Sequence, residues 1–369
     1  MNNILRSHLA LVLLSCCISL LLSCGNPSTK NVVEEKTNIG QQILADSIPR
    51  DSLNIATVNL SVGWRAEDLL LKQLNDSSVV VAALQDLYSQ YEASNAPLRM
   101  KAIAAYLLLR RFDVIALQEA QVMHSGDTAS YSFVDSLLYM MRVFGDTTHW
   151  TVVRQDLNRL ALDVTDTNGT RMNLDFWEGN VLLVREGVTI LDSQNVVYDS
   201  KLDLPILGAP AGSSRGFNQV RVRTPGGGVW QIFNTHLEVE LLKTSNLVQG
   251  QELNAKVWDA WQTLDTGAQI VLGDMNAQPG VGGIGALTTE TSGLVDLWSF
   301  AGKGDTAGWT CCRDDFLDST FGYTRRIDYI LARNFSEVSA METWGLWWTG
   351  IWGSDHGMVV AQIRQGVLP

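Results

Sequence analysis

Cysteine is scarce and badly placed for a disulfide scaffold. Of five in the chain, Cys16, Cys17 and Cys24 fall in an apolar leader, leaving Cys311 and Cys312 for the body. Adjacent cysteines can bond only through a tight ring, so two buried thiols are the expected state and a framework of bridges is excluded. A metal site made from that pair alone has no support. Positive charge is short as well: lysine and arginine total 27 against 39 acidic residues, giving a net charge of −12 and a pI near 4.8. Proteins that hold nucleic acid by wholesale phosphate neutralisation need the opposite balance. This argues against a tight nonspecific DNA binder, but not against an enzyme that needs only local positive charge and a bound cation.

Long apolar runs are missing too, except at the start. Arg6 is the only charged side chain before a run from Leu9 to Leu22 that ends at Ser23-Cys24-Gly25. The run is short for a membrane span and has the layout of a signal peptide. A cysteine after a small residue resembles the bacterial lipoprotein box. Leu22 is an unusual occupant there, and Leu13–Cys16 repeats the same Leu-Leu-Ser-Cys. The expected organisation is a signal peptide over 1–23, a flexible tether over 24–51 lipidated on Cys24, and one domain over 52–369. The implied location is a bacterial cell envelope, with membrane contact through that lipid. Ordinary secretion and an uncleaved anchor are the alternatives.

No internal repeat, low-complexity stretch or Pro/Gly linker interrupts the body, and 46% hydrophobic residues suffice for a large core. Short β-rich runs alternate with helical patterns. Strands are expected at Asn54–Asn59, Asp113–Gln118, Asn180–Arg185, Gln219–Arg223, Trp230–His236, Ala268–Gly273, Arg326–Ala332, Glu337–Met341 and Met358–Ile363. The turn at Gly226-Gly227-Gly228 makes a hairpin of two of them. Ala66–Arg111 reads as a helical insert broken around Ala93–Pro97, with Met100, Ile103, Ala104 and Leu107 as its core-facing stripe. Phe133–Val143 and Thr244–Leu264 are further helices. Hairpins mixed with strand–helix alternation predict an α/β layered domain with mixed sheets.

What the chain does have is polar chemistry at the ends of apolar runs: Asn59, Gln118-Glu119, Asn234-Thr235-His236-Leu237, Gly273-Asp274-Met275-Asn276, Arg326-Ile327-Asp328-Tyr329 and Ser354-Asp355-His356. Side chains two apart on a strand share a face, which aligns Asn234 with His236, and Asp274 with Asn276 if the extended form persists. Chain neighbours point apart, so Asp328 rather than Asp355 is the candidate to hold His356 and fix its tautomer. Glu119 after a five-residue apolar run is costly without a partner. A divalent ion between Glu119 and Asp355 gives both acids one. His124 and His149 have plain surface or core contexts. Hard oxygen ligands plus two histidines are what metal-assisted phosphoester hydrolysis requires. Of 12 tryptophans, Trp344, Trp347, Trp348 and Trp352 cluster before the last motif. Packing is the plain reading, and an aromatic rim for substrate or lipid the functional one.

Taken in order from about Asn54 to Ile363, these motifs resemble the endonuclease/exonuclease/phosphatase superfamily, the group around deoxyribonuclease I, neutral sphingomyelinases and inositol polyphosphate 5-phosphatases. The resemblance implies a four-layer α/β/β/α sandwich of two mixed β-sheets with a site at one edge. It implies that Glu119, helped by Asn59 and Asp355, binds Mg²⁺ (Mn²⁺ is the alternative). Asp274 and Asn276 would position or deprotonate the attacking water, and His236 and His356 would bond the phosphoryl oxygens, with Asp328 holding His356. Asn180 and Arg215 stand as candidates for substrate contact, Arg215 against an ordinary surface arginine. Asn-Thr-His-Leu is unlike the Asn-x-Tyr-x-Pro-Asn of the abasic-site endonucleases, and Ser61 stands where those carry aspartate. The 5-phosphatase hallmark Pro-x-Trp-Cys-Asp-Arg is absent. The stretch from Gly308-Trp309-Thr310-Cys311-Cys312 through Tyr329 is similar to exported bacterial members. An extracytoplasmic nuclease is the first expectation. A phospholipid headgroup phosphodiesterase, a phosphomonoesterase and a noncatalytic binding lipoprotein are the alternatives, and no protein partner is expected.

Overall fold

The computed structural model describes residues 52–63, 76–125, 131–203, 212–239, 242–263, 267–302, 307–313, 317, 322–348 and 350–366. The expected signal peptide and tether, and residues 66–75 of the expected helical insert, lie outside them. The chain begins β1 (Ser52–Asn59), α1 (Ser77–Ala93), α2 (Ala96–Leu107), β2 (Val114–Gln118), β3 (Val122–Ser125), β4 (Tyr131–Ser132) and α3 (Phe133–Val143). There follow β5 (Trp150–Thr165), β6 (Arg171–Arg185), β7 (Thr189–Val197), β8 (Leu202–Asp203), β9 (Gly212–Ser213), β10 (Gly216–Arg223), β11 (Val229–His236) and α4 (Lys243–Gln262). The last third holds β12 (Ala268–Asp274), α5 (Gly282–Leu287), β13 (Val295–Asp296), α6 (Leu297–Ala301), β14 (Asp328–Arg333), β15 (Phe335–Trp344), β16 (Trp347–Trp348), β17 (Ile351–Trp352) and β18 (Met358–Gln365).

An 8-stranded sheet runs β15-β18-β1-β2-β6-β3-β4, with β5 paired to β6, and a 6-stranded sheet runs β13-β14-β12-β11-β10-β7. Strand alternation builds the layers. Leu53 and Ile55 of β1, with Val114 and Ala116 of β2, pack between the sheets on Val220, Trp230, Ile232, Ile270 and Ile330. Ala56 and Val58, one residue out of phase, meet Met100, Ile103 and Leu107 of α2 and Phe133 and Leu137 of α3. On the far side Leu253 and Val257 of α4 and Ile284 of α5 cover Phe233, Val271 and Leu331. The order is helix, sheet, sheet, helix, the expected α/β/β/α sandwich. The helical stripe predicted on α2 is buried as read. Its break from α1 is made by Asn95, at φ 50, whose side chain accepts the Leu98 backbone N–H.

Two features differ from expectation. The strand expected at Asn180–Arg185 is only the end of β6, which pairs with β5 from Trp150↔Arg185 out to Thr165↔Arg171. Much of that outer ribbon is exposed or half-buried, yet Leu160, Leu162 and Val164 of β5 alternate opposite Phe176, Leu174 and Met172 of β6, a period-two signal that the expected strands leave out. In its turn, Asp166 Oδ1 accepts from the Asn168 and Thr170 N–H groups. Secondly, Cys311 and Cys312 are not two buried thiols. They are bonded to each other, with Cys311 buried and Cys312 exposed. Cys311 forms an antiparallel bridge with Arg325, which fixes this turn against a neighbouring segment.

Candidate active site

Sheet register assembles the site. β11, β12 and β14 are neighbours, and His236 lies opposite Asp274, which lies opposite Asp328. In the other sheet β1 runs parallel to β2 with Asn59 opposite Gln118, one residue before Glu119. β18 pairs antiparallel with β1, so the turn that precedes it carries Ser354-Asp355-His356 to the same end. Asn59 joins the two halves: its Nδ2 donates to Glu119 Oε1 at 2.9 Å and to Asp274 Oδ2 at 3.0 Å. Its Oδ1 accepts the Ser61 N–H at 2.8 Å. Asn234 does share a face with His236, but its Nδ2 donates to Leu117 O and Val181 O across the sheet interface, tying the layers together behind the site.

The backbone bends sharply where the chemistry sits. A Cβ on Gly273, at φ +128, would lie 1.9 Å from Thr235 O, so only glycine fits between β11 and β12. Asn276 does not continue the extended form; it turns at φ 48. Its N–H then donates to Asp274 Oδ1 at 2.8 Å, and its Nδ2 donates to Leu237 O at 3.0 Å while facing His236 Nε2 at 3.0 Å. Glu119 is left-handed too, at φ 51, a conformation that costs a non-glycine residue roughly 1–2 kcal/mol. It is held by Asn59 and by the Val62 N–H, which donates to Glu119 Oε2.

The two histidines have opposite surroundings. His356 Nδ1 is 2.8 Å from Asp328 Oδ2, and its Nε2 is 3.7 Å from Asp274 Oδ2. Burial alone would lower its pKa, but Asp328, Asp274 and Asp355 raise it well above the usual histidine value, which favours the imidazolium. His236 has Arg215 Nη1 at 2.9 Å from its Nδ1. Burial, then Arg215, then His356 push its pKa well below the usual value, which favours the neutral ring. A guanidinium only donates, so Nδ1 accepts and the proton sits on Nε2, facing Asp274 Oδ2 at 3.6 Å and Glu119 Oε1 at 4.0 Å. Burial and Asp328 push Asp274 up to about 7. Burial, Glu178 and Asp355 push Glu119 up to about 7.

Of the expected substrate contacts, Arg215 is not a surface arginine. It is 9% exposed and lies behind His236, 3.4 Å from Glu178 and 3.6 Å from Glu238. Asn180 is buried, and its Nδ2 donates to Gln155 Oε1 and Gly216 O, joining β6 to β10. Sequence reasoning passed over Glu178 and Glu238, each two residues from a chosen residue and so on its face, and Arg99. Arg99 is fully buried in α2; its guanidinium donates to Gly353 O at 3.1 Å and to the Leu60 and Ser61 carbonyls. A cation inside an apolar helical stripe was the available signal.

The donor set fits a hard divalent cation. Burial first, and then the negative charge of Glu178 and Asp355, push the Glu119 carboxyl up to about 7, and a cation bound there would favour its charged form. Ligand atoms of Asp274, Asp328 and His356 also lie within 4.8 Å of one another.

Residues 56–356 match the profile of the Endonuclease/Exonuclease/phosphatase family, and the chain belongs to that family. Its members are metal-dependent phosphoesterases, and this protein is a hydrolase of phosphoester bonds. Truncated TDP2 of Caenorhabditis elegans superposes with a TM-score of 0.53 at 15% identity, over 85% of this chain and 97% of that one. A family protein of Leptotrichia buccalis gives 0.52 at 16% identity over 85% and 99%. One from Bacteroides thetaiotaomicron gives 0.52 at 16% over 86% and 96%. Identities this low speak for the fold alone. No curated protein sequence matches the chain.

Proposed function

We propose that the protein is an Mg²⁺-dependent phosphodiesterase, an extracytoplasmic nuclease carried to a bacterial envelope by its leader and held there by lipid on Cys24. The observation that carries the chemistry is one carboxylate, Asp274, between His236 and His356 at 3.6 and 3.7 Å. With a pKa of about 7, Asp274 is matched to accept a proton from water at neutral pH. His236 Nε2 and Asn276 Nδ2 lie 3.0 Å apart, and with its proton on Nε2 His236 would donate together with Asn276 to one anionic phosphoryl oxygen. His356 adds a charged donor, kept protonated by Asp328, where negative charge grows. Glu119 with Asp355 would hold the metal, beside the Asn59 amide that orients Glu119; when bound, Mg²⁺ offsets charge on the phosphate and its leaving oxygen.

Nicking of supercoiled plasmid by the purified chain in Mg²⁺, with EDTA and His356→Ala as controls, tests this reading. Metal-dependent nicking lost in the variant supports a nuclease. A folded, Mg²⁺-binding preparation that nicks nothing overturns it and turns attention to phospholipid headgroups. That second reading is favoured by one observation: Trp347, 37% exposed, pairs with Trp352 at 5.0 Å between ring centres, in the hairpin that leads into the Ser354-Asp355-His356 turn.

A further inference from the structure

The segment from Thr310 to Arg313 takes part in none of the chemistry above, yet it is tied to both loops that carry the His356 half of the site. Thr310 is fully buried, and its Oγ1 accepts the N–H of Asp328 at 3.2 Å and of Ile327 at 3.3 Å. Its carbonyl accepts the Gly357 N–H at 2.6 Å, next to His356. Cys311 O accepts from the Thr324 and Arg325 N–H groups, and the N–H groups of Thr310 and Cys311 return to Arg325 O. On the other side Arg313 N–H donates to Asp355 O at 3.3 Å, and the Arg313 guanidinium stacks on Tyr323 and Trp352, at 4.2 and 3.1 Å from the ring centres. Tyr323 OH donates to His356 O at 3.1 Å. The Cys311–Cys312 bond closes the two residues between these sets of ties.

We infer that the Cys311–Cys312 disulfide is a positioning element of the active site, which locks the 310–313 strap so that Asp328 and Asp355–His356 keep one spacing, and that reducing it slows the enzyme. The proposal rests on the phosphoesterase reading of the site. Chemically the step is a thiol exchange. A thiolate of a dithiol reductant attacks Cys312 Sγ, on the exposed residue of the pair, and Cys311 Sγ leaves and takes a proton. The second thiolate of the reductant then displaces Cys312 and closes its own disulfide, so two electrons and two protons pass to the protein. With the ring open, residues 311–312 regain backbone freedom between Thr310 and Arg313, and the hydrogen bonds that fix Asp328 and Gly357 loosen.

The test compares the full chain before and after dithiothreitol, in excess Mg²⁺, with reoxidation and with the Cys311→Ser/Cys312→Ser variant. Alkylation mapped to the 311–312 peptide reports the bond's state. Bis(p-nitrophenyl) phosphate hydrolysis reports function, and hydrogen exchange at the Asp328 and Gly357 amides reports the strap. Expected on reduction are a fall in kcat of about 10- to 100-fold with little change in KM, faster exchange at both amides, and recovery on reoxidation. The variant should match the reduced protein and ignore the reductant. Unchanged kcat and unchanged exchange in demonstrably reduced protein would overturn the proposal, as would a folded variant as fast as the oxidised chain. If the oxidised chain hydrolyses no phosphoester, the phosphoesterase reading fails separately, and exchange at the two amides decides the strap by itself.

Discussion

The flank around His236 and the flank around His356 are built alike and charged oppositely. Each ring stands at or just before a strand, close to Asp274, and is almost wholly buried. What separates them is the group on Nδ1: a guanidinium for His236, a carboxylate for His356. Burial lowers the pKa of both, and the partner decides the outcome. A histidine's position in a motif therefore says little about its protonation; the next residue out sets it. Here the difference favours a neutral ring on one side of Asp274 and a cationic ring on the other.

Removing the carboxylate that both flanks share has the largest expected effect. Asp274→Ala should lower kcat by about 10⁴-fold, in protein whose circular dichroism is unchanged; Glu119→Ala should be as damaging at fixed Mg²⁺. Asp328→Asn breaks the comparison at His356, with about a 10²-fold loss expected near neutral pH. The sign of the pH effect follows from the raised pKa. The imidazolium and its contribution to stability are fully present below the unfolded histidine pKa and are lost as pH rises through the higher folded value. In Asp328→Asn the alkaline fall in activity should therefore begin at lower pH than in the parent, and a pH–rate profile reads it. Arg215→Gln sharpens the other side. Without the guanidinium, His236 should protonate at higher pH in NMR titrations, and activity should drop by about tenfold, the low end for a group acting through another. Smallest of all, Ile363→Val, in the core between the sheets at the far end of β18 opposite Leu53, should cost about 0.5–1.5 kcal/mol in denaturant unfolding and leave kcat alone.

The sequence showed the layers and the end of the sheets where the polar groups gather. Runs such as Asn54–Asn59 and Ala268–Gly273 are buried strands, and acids or amides that terminate them have few other uses. Less visible was anything set by long-range pairing. The β5–β6 ribbon does carry a period-two pattern, with Leu160, Leu162 and Val164 opposite Phe176, Leu174 and Met172, and only its packing against α1 is set at long range. Arg215 and Asn180 sit at strand ends in sequence, but the strand next door turns Arg215 under His236 and Asn180 onto Gly216. The turn at Asn276, against the extended expectation, is imposed by the bonds Asp274 and Leu237 offer it. The Cys311–Cys312 bond depends on a turn whose shape is fixed by Arg325, which adjacency alone does not reveal.

The most direct test of the account is nitrogen NMR of the histidine rings in the full chain at pH 7. It predicts His356 doubly protonated and His236 neutral with its proton on Nε2. Two rings in the same protonation state would contradict it.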